Sequence, residues 1–212
     1  AKRGWRTLSL DKPVQFTGRI TADEKGWTVD KAELNSSFIH GIAQGNLKSM
    51  KVSVDANLAA VMAEAGKFAD MGKFAAEGTF NLDVAVEESA QSERNVTAAM
   101  SMKGLNVAGF TPLPVKLDYL TANIVAGIRT SAGGVSDIGP VVVNIISPVC
   151  SNNFSVTKII TGANPSDTVI EGWKTEGVLD LGRLVDLGRG MGVVAKDIEC
   201  RGIMEVAGTA EV

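Results

Sequence analysis

The sequence predicts a mainly β fold: a curved antiparallel sheet, or sheets, built from two related repeat units that each carry a short helix. Three observations predict it. Apolar and polar residues alternate with period two over most of the 212 residues, which in an antiparallel sheet sets one face against an apolar environment and the other against water. Clusters of Gly, Asn, Asp, Ser and Pro punctuate these runs, as turns require. Only two segments carry the apolar spacing of a helix, and they stand at matching places in the two halves.

The alternation is clearest in three runs. Phe80, Leu82, Val84 and Val86 alternate with Thr79, Asn81, Asp83 and Ala85; Val96, Ala98, Met100 and Met102 alternate with Thr97, Ala99, Ser101 and Lys103. Val115, Leu117 and Tyr119 alternate with Lys116, Asp118 and Leu120. The polar stretch 87–95 between the first two runs reads as a long hairpin loop. Further strands are expected over 14–20, 27–34, 45–54, 123–129, 140–146, 155–160, 169–179 and 202–212. Turn clusters such as Ala163-Asn164-Pro165-Ser166-Asp167 separate them.

The first helix is expected near 57–74, where Leu58, Val61, Met62, Ala65, Phe68 and Gly72 form an apolar stripe. Asn57 or Asp55 would cap it. The second is expected near 181–189, on Leu181, Leu184, Val185 and Gly188, with Asp180 as cap and Gly188, Gly190 and Gly192 ending it. Setting Asn57-Leu58 on Asp180-Leu181 brings Gly78 within one residue of Gly202. Each unit then reads as strand, polar cap, helix, Gly, alternating strand. The first unit covers 1–110 and the second 111–212.

Composition narrows the function. The chain has 21 Lys+Arg against 24 Asp+Glu, a net charge of -3, and so lacks the basic balance of nucleic-acid binding. Its 45% hydrophobic residues and mean hydropathy of +0.13 exclude a disordered chain. No run of 18 apolar residues exists to form a membrane-spanning helix. Cys150, Cys200 and His40 lie too far apart in sequence for a clustered zinc site, so no metal and no cofactor is expected. The two Cys either bridge in an oxidising compartment or stay as buried free thiols. The chain opens at Ala1-Lys2-Arg3-Gly4 without Met and closes in strand-like sequence at Glu211-Val212, which reads as a piece of a longer protein.

The segment Gly177-Val178-Leu179-Asp180-Leu181-Gly182-Arg183-Leu184, followed by Gly202-Ile203-Met204-Glu205-Val206, resembles the terminal repeat of the AsmA-like superfamily, which includes TamB-type translocation and assembly modules. The stretch 45–86 is similar to a second copy, and Trp27-Thr28-Val29-Asp30-Lys31-Ala32-Glu33-Leu34 resembles a characteristic strand of those proteins. The resemblance implies a bridge-like lipid-transfer sheet in the envelope of a Gram-negative bacterium. It further implies a periplasmic location, with an inner-membrane anchor supplied by parts outside this chain. It carries over no catalytic residues. This sequence departs from the pattern in its two Cys, its long Ala-rich first helix and its short length.

Catalytic readings of the residues are weak. Gly188-Arg189-Gly190-Met191-Gly192 follows a helix, whereas a dinucleotide loop opens one. His40 has no nucleophile motif such as GxSxG to serve. Asp23-Glu24 and Glu87-Glu88 read as solvated turns rather than a glycosidase pair. The matches Asn35-Ser36-Ser37, Asn95-Val96-Thr97 and Asn153-Phe154-Ser155 to the glycosylation sequon matter only in a secreted eukaryotic chain. The first helix either plugs one end of the apolar face or acts as a movable, membrane-surface element.

The expected function is therefore non-enzymatic: binding or guiding phospholipid, or another acyl-chain ligand, along an apolar sheet face in support of outer-membrane assembly or integrity. The expected lipid-binding residues are Phe80, Leu82, Val84, Met100, Met102, Met204 and Val206. The alternative is a secreted or cell-surface interaction module with a closed core, forming a homo-oligomer through an exposed strand edge.

Overall fold

The computed structural model describes residues 10, 13–24, 26–46, 48–90, 93–109, 114–131, 134–160, 168–195 and 197–210. They form a single eleven-stranded sheet in which every strand pairs antiparallel with its sequence neighbours, in the order β1 to β11. The strands are β1 (Gln15–Asp23), β2 (Gly26–Asn35), β3 (Ile39–Asn46), β4 (Ser49–Asn57), β5 (Ala75–Ala90), β6 (Glu93–Ala108), β7 (Val115–Ser131), β8 (Gly134–Ile146), β9 (Cys150–Ile160), β10 (Val169–Asp180) and β11 (Ile203–Ala210). Helix α1 (Leu58–Ala65) joins β4 to β5, and α2 (Leu181–Gly190) lies between β10 and β11.

Several sequence expectations need correction. Residues 87–90 and 93–95 are not loop, because they end β5 and begin β6 as paired strands. Glu87 lies opposite Asn95 and Glu88 opposite Arg94, where opposite charges face each other across the ladder. The carboxylates of Glu87 and Glu88 therefore sit on a strand rather than in a turn. The stretch 45–54 is two strands, since the Asn46 side chain accepts from the amides of Lys48 (2.8 Å) and Ser49 (3.0 Å) and turns the chain there. The runs at 115–120 and 123–129 belong to one 17-residue strand, β7. The turn at 163–167 and the last two residues of the final strand lie outside the described residues.

Helix α1 has 8 residues, far shorter than 57–74. Gly66 ends it, and Asp70 then accepts from the Gly72 amide (2.9 Å) in a turn of its own, so Phe68 and Gly72 leave the stripe. Gly188 lies buried within the last turn of α2 and Gly190 is its last residue; Met191 caps it, and Gly192 at φ +74° turns the chain away, so the glycine cluster ends the helix as expected. Gly188 is required by packing, because a Cβ there would stand 2.6 Å from a methyl of Val194.

Both N-caps form as expected. Asn57 accepts from the Ala60 amide and Asp180 from the Arg183 amide, each at 3.0 Å. The turns ahead of the two helices match as well. Ser36 Oγ accepts from the amides of Phe38 and Ile39, and Ser147 Oγ from those of Val149 and Cys150. The Asn57 amide then donates to the Phe38 carbonyl, and the Asp180 amide to the Val149 carbonyl, each at 2.9 Å. Asn57→Ala and Asp180→Ala should each cost about 1 kcal/mol in urea unfolding, and Asn57→Asp should retain most of that.

The interior is unusual. Among the described apolar residues only Val29, Val149 and Val156 are buried. Helix α1 lies against β4 and β5, and α2 against β7 and β10; among the described residues no second sheet covers the first.

Candidate functional site

Cross-strand partners in an antiparallel ladder share a face, so the register decides what each face of the sheet carries. One row crosses all eleven strands: Ile20, Val29, Gly45, Met50, Val86, Val96, Ala126, Val141, Val156, Trp173 and Ala210. Every member is apolar or glycine. A second unbroken row runs from Phe16 through Leu82 and Met100 to Asn152 and Val206. A third runs from Gly18 through Val84 and Ala98 to Phe154, Thr175 and Gly208. In these three rows the only polar side chains are Asn152 and Thr175, and they bond to each other at 3.1 Å. At about 4.8 Å per strand step, the apolar face is about 48 Å long.

All seven residues singled out from the sequence lie on this face. Phe80 stands opposite Met102 and Leu82 opposite Met100, with Val84 two residues on. Val206 shares the row of Met100 through Ala122, Ile145, Asn152 and Gly177, and Met204 follows it on β11. They do not converge on a pocket. Five strand steps separate Met100 from Val206, roughly 24 Å, so they mark two ends of one surface.

The face has defined borders. Beyond Phe80, Glu77 accepts from Asn106 (3.1 Å), and Asn106 in turn stands opposite Lys116. Beyond Val86, Glu88 stands opposite Arg94 and pairs with Lys48 at 2.9 Å. From Phe80 to Val86 the apolar band is about 20 Å wide along the strand.

Below that band the apolar residues change sides. In β6, Met100 and Met102 give way to Leu105 and Val107; in β7, Val115 and Leu117 precede Leu120 and Ala122. Leu105 lies opposite Leu117 and Val107 opposite Val115, so this patch falls on the other face of the sheet. Leu187 of α2 shares a cavity of about 240 Å³ with Val115, Leu117, Pro148 and Val149. Helix α2 therefore spends its apolar surface there, away from the long rows.

No protein-family model, no curated protein and no solved structure matches this chain.

Among the described residues the remaining candidates do not assemble a reactive centre. His40 Nδ1 lies 2.5 Å from Asn35 Oδ1, an amide partner that orients the ring without activating it. Lys31 and Asn35 both bond to Glu33 and hold its carboxyl below the usual carboxylate range. Cys150 is half-buried, 3.5 Å from Ser147 Oγ, and Cys200 is exposed; both are free thiols. Among the described residues no group of three or more His, Cys, Asp or Glu is placed to hold a metal, and no helix is long and apolar enough to cross a membrane.

Sequence reasoning missed a shallow groove of about 500 Å³ on the opposite face. It forms because small side chains, Ser53, Ala85 and Ala99, lie between larger ones such as Lys51, Asp83 and Asn123. The signal was present as the small residues alternating with Val84 and Ala98. That face is mixed, and it also exposes Val125 and Ile146.

Proposed function

We propose that this chain is a non-enzymatic segment of a bacterial envelope protein that binds or guides phospholipid acyl chains along its apolar sheet face, in support of outer-membrane assembly or integrity. The observation that carries the reading is the three rows across eleven strands, apolar or glycine except for the bonded pair Asn152 and Thr175, with no second sheet over them among the described residues. An apolar surface of this extent on a soluble chain calls for a covering. Each methylene transferred from water to such a surface gains about 0.8 kcal/mol, so a continuous face holds an acyl chain without any pocket. The charged borders at Glu77 and at Lys48, Glu88 and Arg94 leave headgroups polar company at the margins of the band.

Two further supports bear on the envelope reading. The sequence resembles AsmA-like repeats at 177–184 and 202–206. The matched serine turns and helix caps at Ser36 and Asn57, and at Ser147 and Asp180, favour two related units that extend one sheet side by side. In that reading an inner-membrane anchor belongs to parts of the protein outside this chain.

Native mass spectrometry tests the reading. Chain purified without detergent from a Gram-negative host should carry phosphatidylethanolamine or phosphatidylglycerol adducts. The delipidated chain should regain them from vesicles of those two lipids and should bind the dye ANS strongly. Absence of adducts from both samples, together with negligible ANS binding, rejects the proposal and favours a closed interaction module.

A further inference from the structure

The polar side chains of the three rows are confined to one place. From β2 to β8 the rows hold only apolar residues and glycine, and Asn152 on β9 and Thr175 on β10 then interrupt them diagonally across one ladder. Neighbours turn both side chains. The Thr175 methyl and the Cη2–Cζ3 edge of the Trp173 indole lie within 3.4 Å of where a Gly208 Cβ would stand. The Thr175 hydroxyl faces the other way, accepting from Asn152 Nδ2 at 3.1 Å and donating to Asn152 Oδ1 at 3.4 Å. The Asn152 amide in turn lies over Gly177, where a Cβ would stand 2.5 Å from Nδ2. Two glycines thus leave room on the face for an amide and an indole.

The pair does not exhaust its own bonding. A side-chain amide has two N–H donors and a carbonyl with two lone pairs, and Thr175 takes one of each. Trp173 lies two residues before Thr175 on the same face, and no described group accepts from its indole N–H. Neither Asn152 nor Trp173 is buried. Beneath an acyl chain alone, such spare donors would lose their water and gain no partner, which is costly. A ligand that covers the face without that cost presents acceptors at this spot. A diacyl glycerophospholipid does so, because its two ester carbonyls stand where its apolar chains begin. Tryptophan is favoured at the same boundary, with its body apolar and its N–H wet.

We infer that Asn152, Thr175 and Trp173 form an ester-binding station on the apolar face. Asn152 Nδ2 and Trp173 Nε1 donate to the ester carbonyls of a bound diacyl glycerophospholipid, and Thr175 holds the amide in place. The acyl chains rest on the all-apolar rows beside the station. Those rows run six strand steps from β8 to β2, about 29 Å, more than the roughly 15 Å that one chain fills in half a bilayer core. The inference rests on the reading that lipid covers this face, and it adds which part of the lipid is recognised and where.

Competition followed by native mass spectrometry is the test. The delipidated wild type is offered vesicles holding equal amounts of diacyl phosphatidylglycerol and its dialkyl ether analogue, which lacks both carbonyls. It should retain the diacyl lipid about fivefold over the ether, the worth of one or two hydrogen bonds. Asn152→Leu/Thr175→Val conserves side-chain size and should retain the two lipids equally, with the total bound unchanged. Trp173→Phe should lower the preference as well, and it supplies the readout if the double variant does not fold. Equal retention by the wild type overturns the inference and leaves lipid binding intact, with the pair serving only to tie β9 to β10. A preference that survives all three substitutions also overturns it. Retention of neither lipid by the wild type removes the lipid reading of the face and the inference with it. Fluorescence adds a readout of position. In Trp5→Phe/Trp27→Phe, Trp173 is the remaining tryptophan of three. Phosphatidylglycerol brominated near its esters should quench it more than lipid brominated at the chain ends, and an equal or reversed order overturns the inference.

Discussion

Gly45→Ala should lower the unfolding free energy by about 3 kcal/mol or more, among the larger effects available to a single substitution. Gly45 lies in β3 at φ +127°, a backbone conformation that residues with a Cβ rarely adopt. A methyl there would stand 1.9 Å from the Ser49 carbonyl oxygen and 2.8 Å from the Met50 Cα. These neighbours are backbone, so no side chain can swing aside, and the β3–β4 pairing itself must part. Gly26 separates the two contributions. It has nearly the same φ, +122°, but nothing lies within 4 Å of the site of its missing Cβ. Gly26→Ala therefore bears backbone strain alone and should cost about 1–2 kcal/mol. Urea unfolding of the two variants measures the difference; equal midpoints would show that β3 and β4 do not approach as closely as described.

The position of Gly45 also shows why parts of this fold were hard to read. Alternation in β5 and β6 is explicit because each position has one environment along its strand, and the pairing of Leu82 with Met100 follows from it directly. Across the β3–β4 turn the chain passes from Gln44 to Lys51 with no Pro and no Asn-Gly pair, and only the Asn46 side chain marks the reversal. The hairpin end at 87–95 misleads for a different reason. Charged residues signal loops when counted singly, but Glu88 and Arg94 are strand residues because they face each other. In β7 the pattern is phase-shifted at Tyr119-Leu120, so a reading by strict period two breaks one long strand into two. Helix α2 was legible almost to the residue, since Asp180 caps it by a purely local bond. That the apolar rows align over all eleven strands was not legible. It depends on ten registers, each set by turns and bulges that lie far from the rows they align.

Substitutions on the apolar face should separate stability from binding in a way that a closed core does not permit. Truncating a fully buried Leu to Ala commonly costs 2–5 kcal/mol, because a cavity is added to the lost transfer energy. Leu82 and Met100 are only half-buried, with no second sheet among the described residues above them, so no closed cavity forms and each Ala variant should cost about 1 kcal/mol. Val156 provides the comparison within the same protein. It is 3% exposed, and Val156→Ala should cost about 2 kcal/mol although it removes fewer atoms than Leu82→Ala. Charge then tests the function. Leu82→Asp/Met100→Asp places two carboxylates opposite each other in the middle of the band, where an acyl chain would have to desolvate them. Recovered phospholipid should fall at least tenfold, while the caps at Asn57 and Asp180 and the pairing of the remaining strands persist. A ligand that binds only the folded chain raises its unfolding free energy with concentration, so phosphatidylglycerol micelles should raise the urea midpoint of the wild type and leave that of the double variant unmoved. If Leu82→Ala instead costs as much as a core truncation and lipid shifts neither midpoint, the face is covered by protein, and it serves assembly rather than lipid.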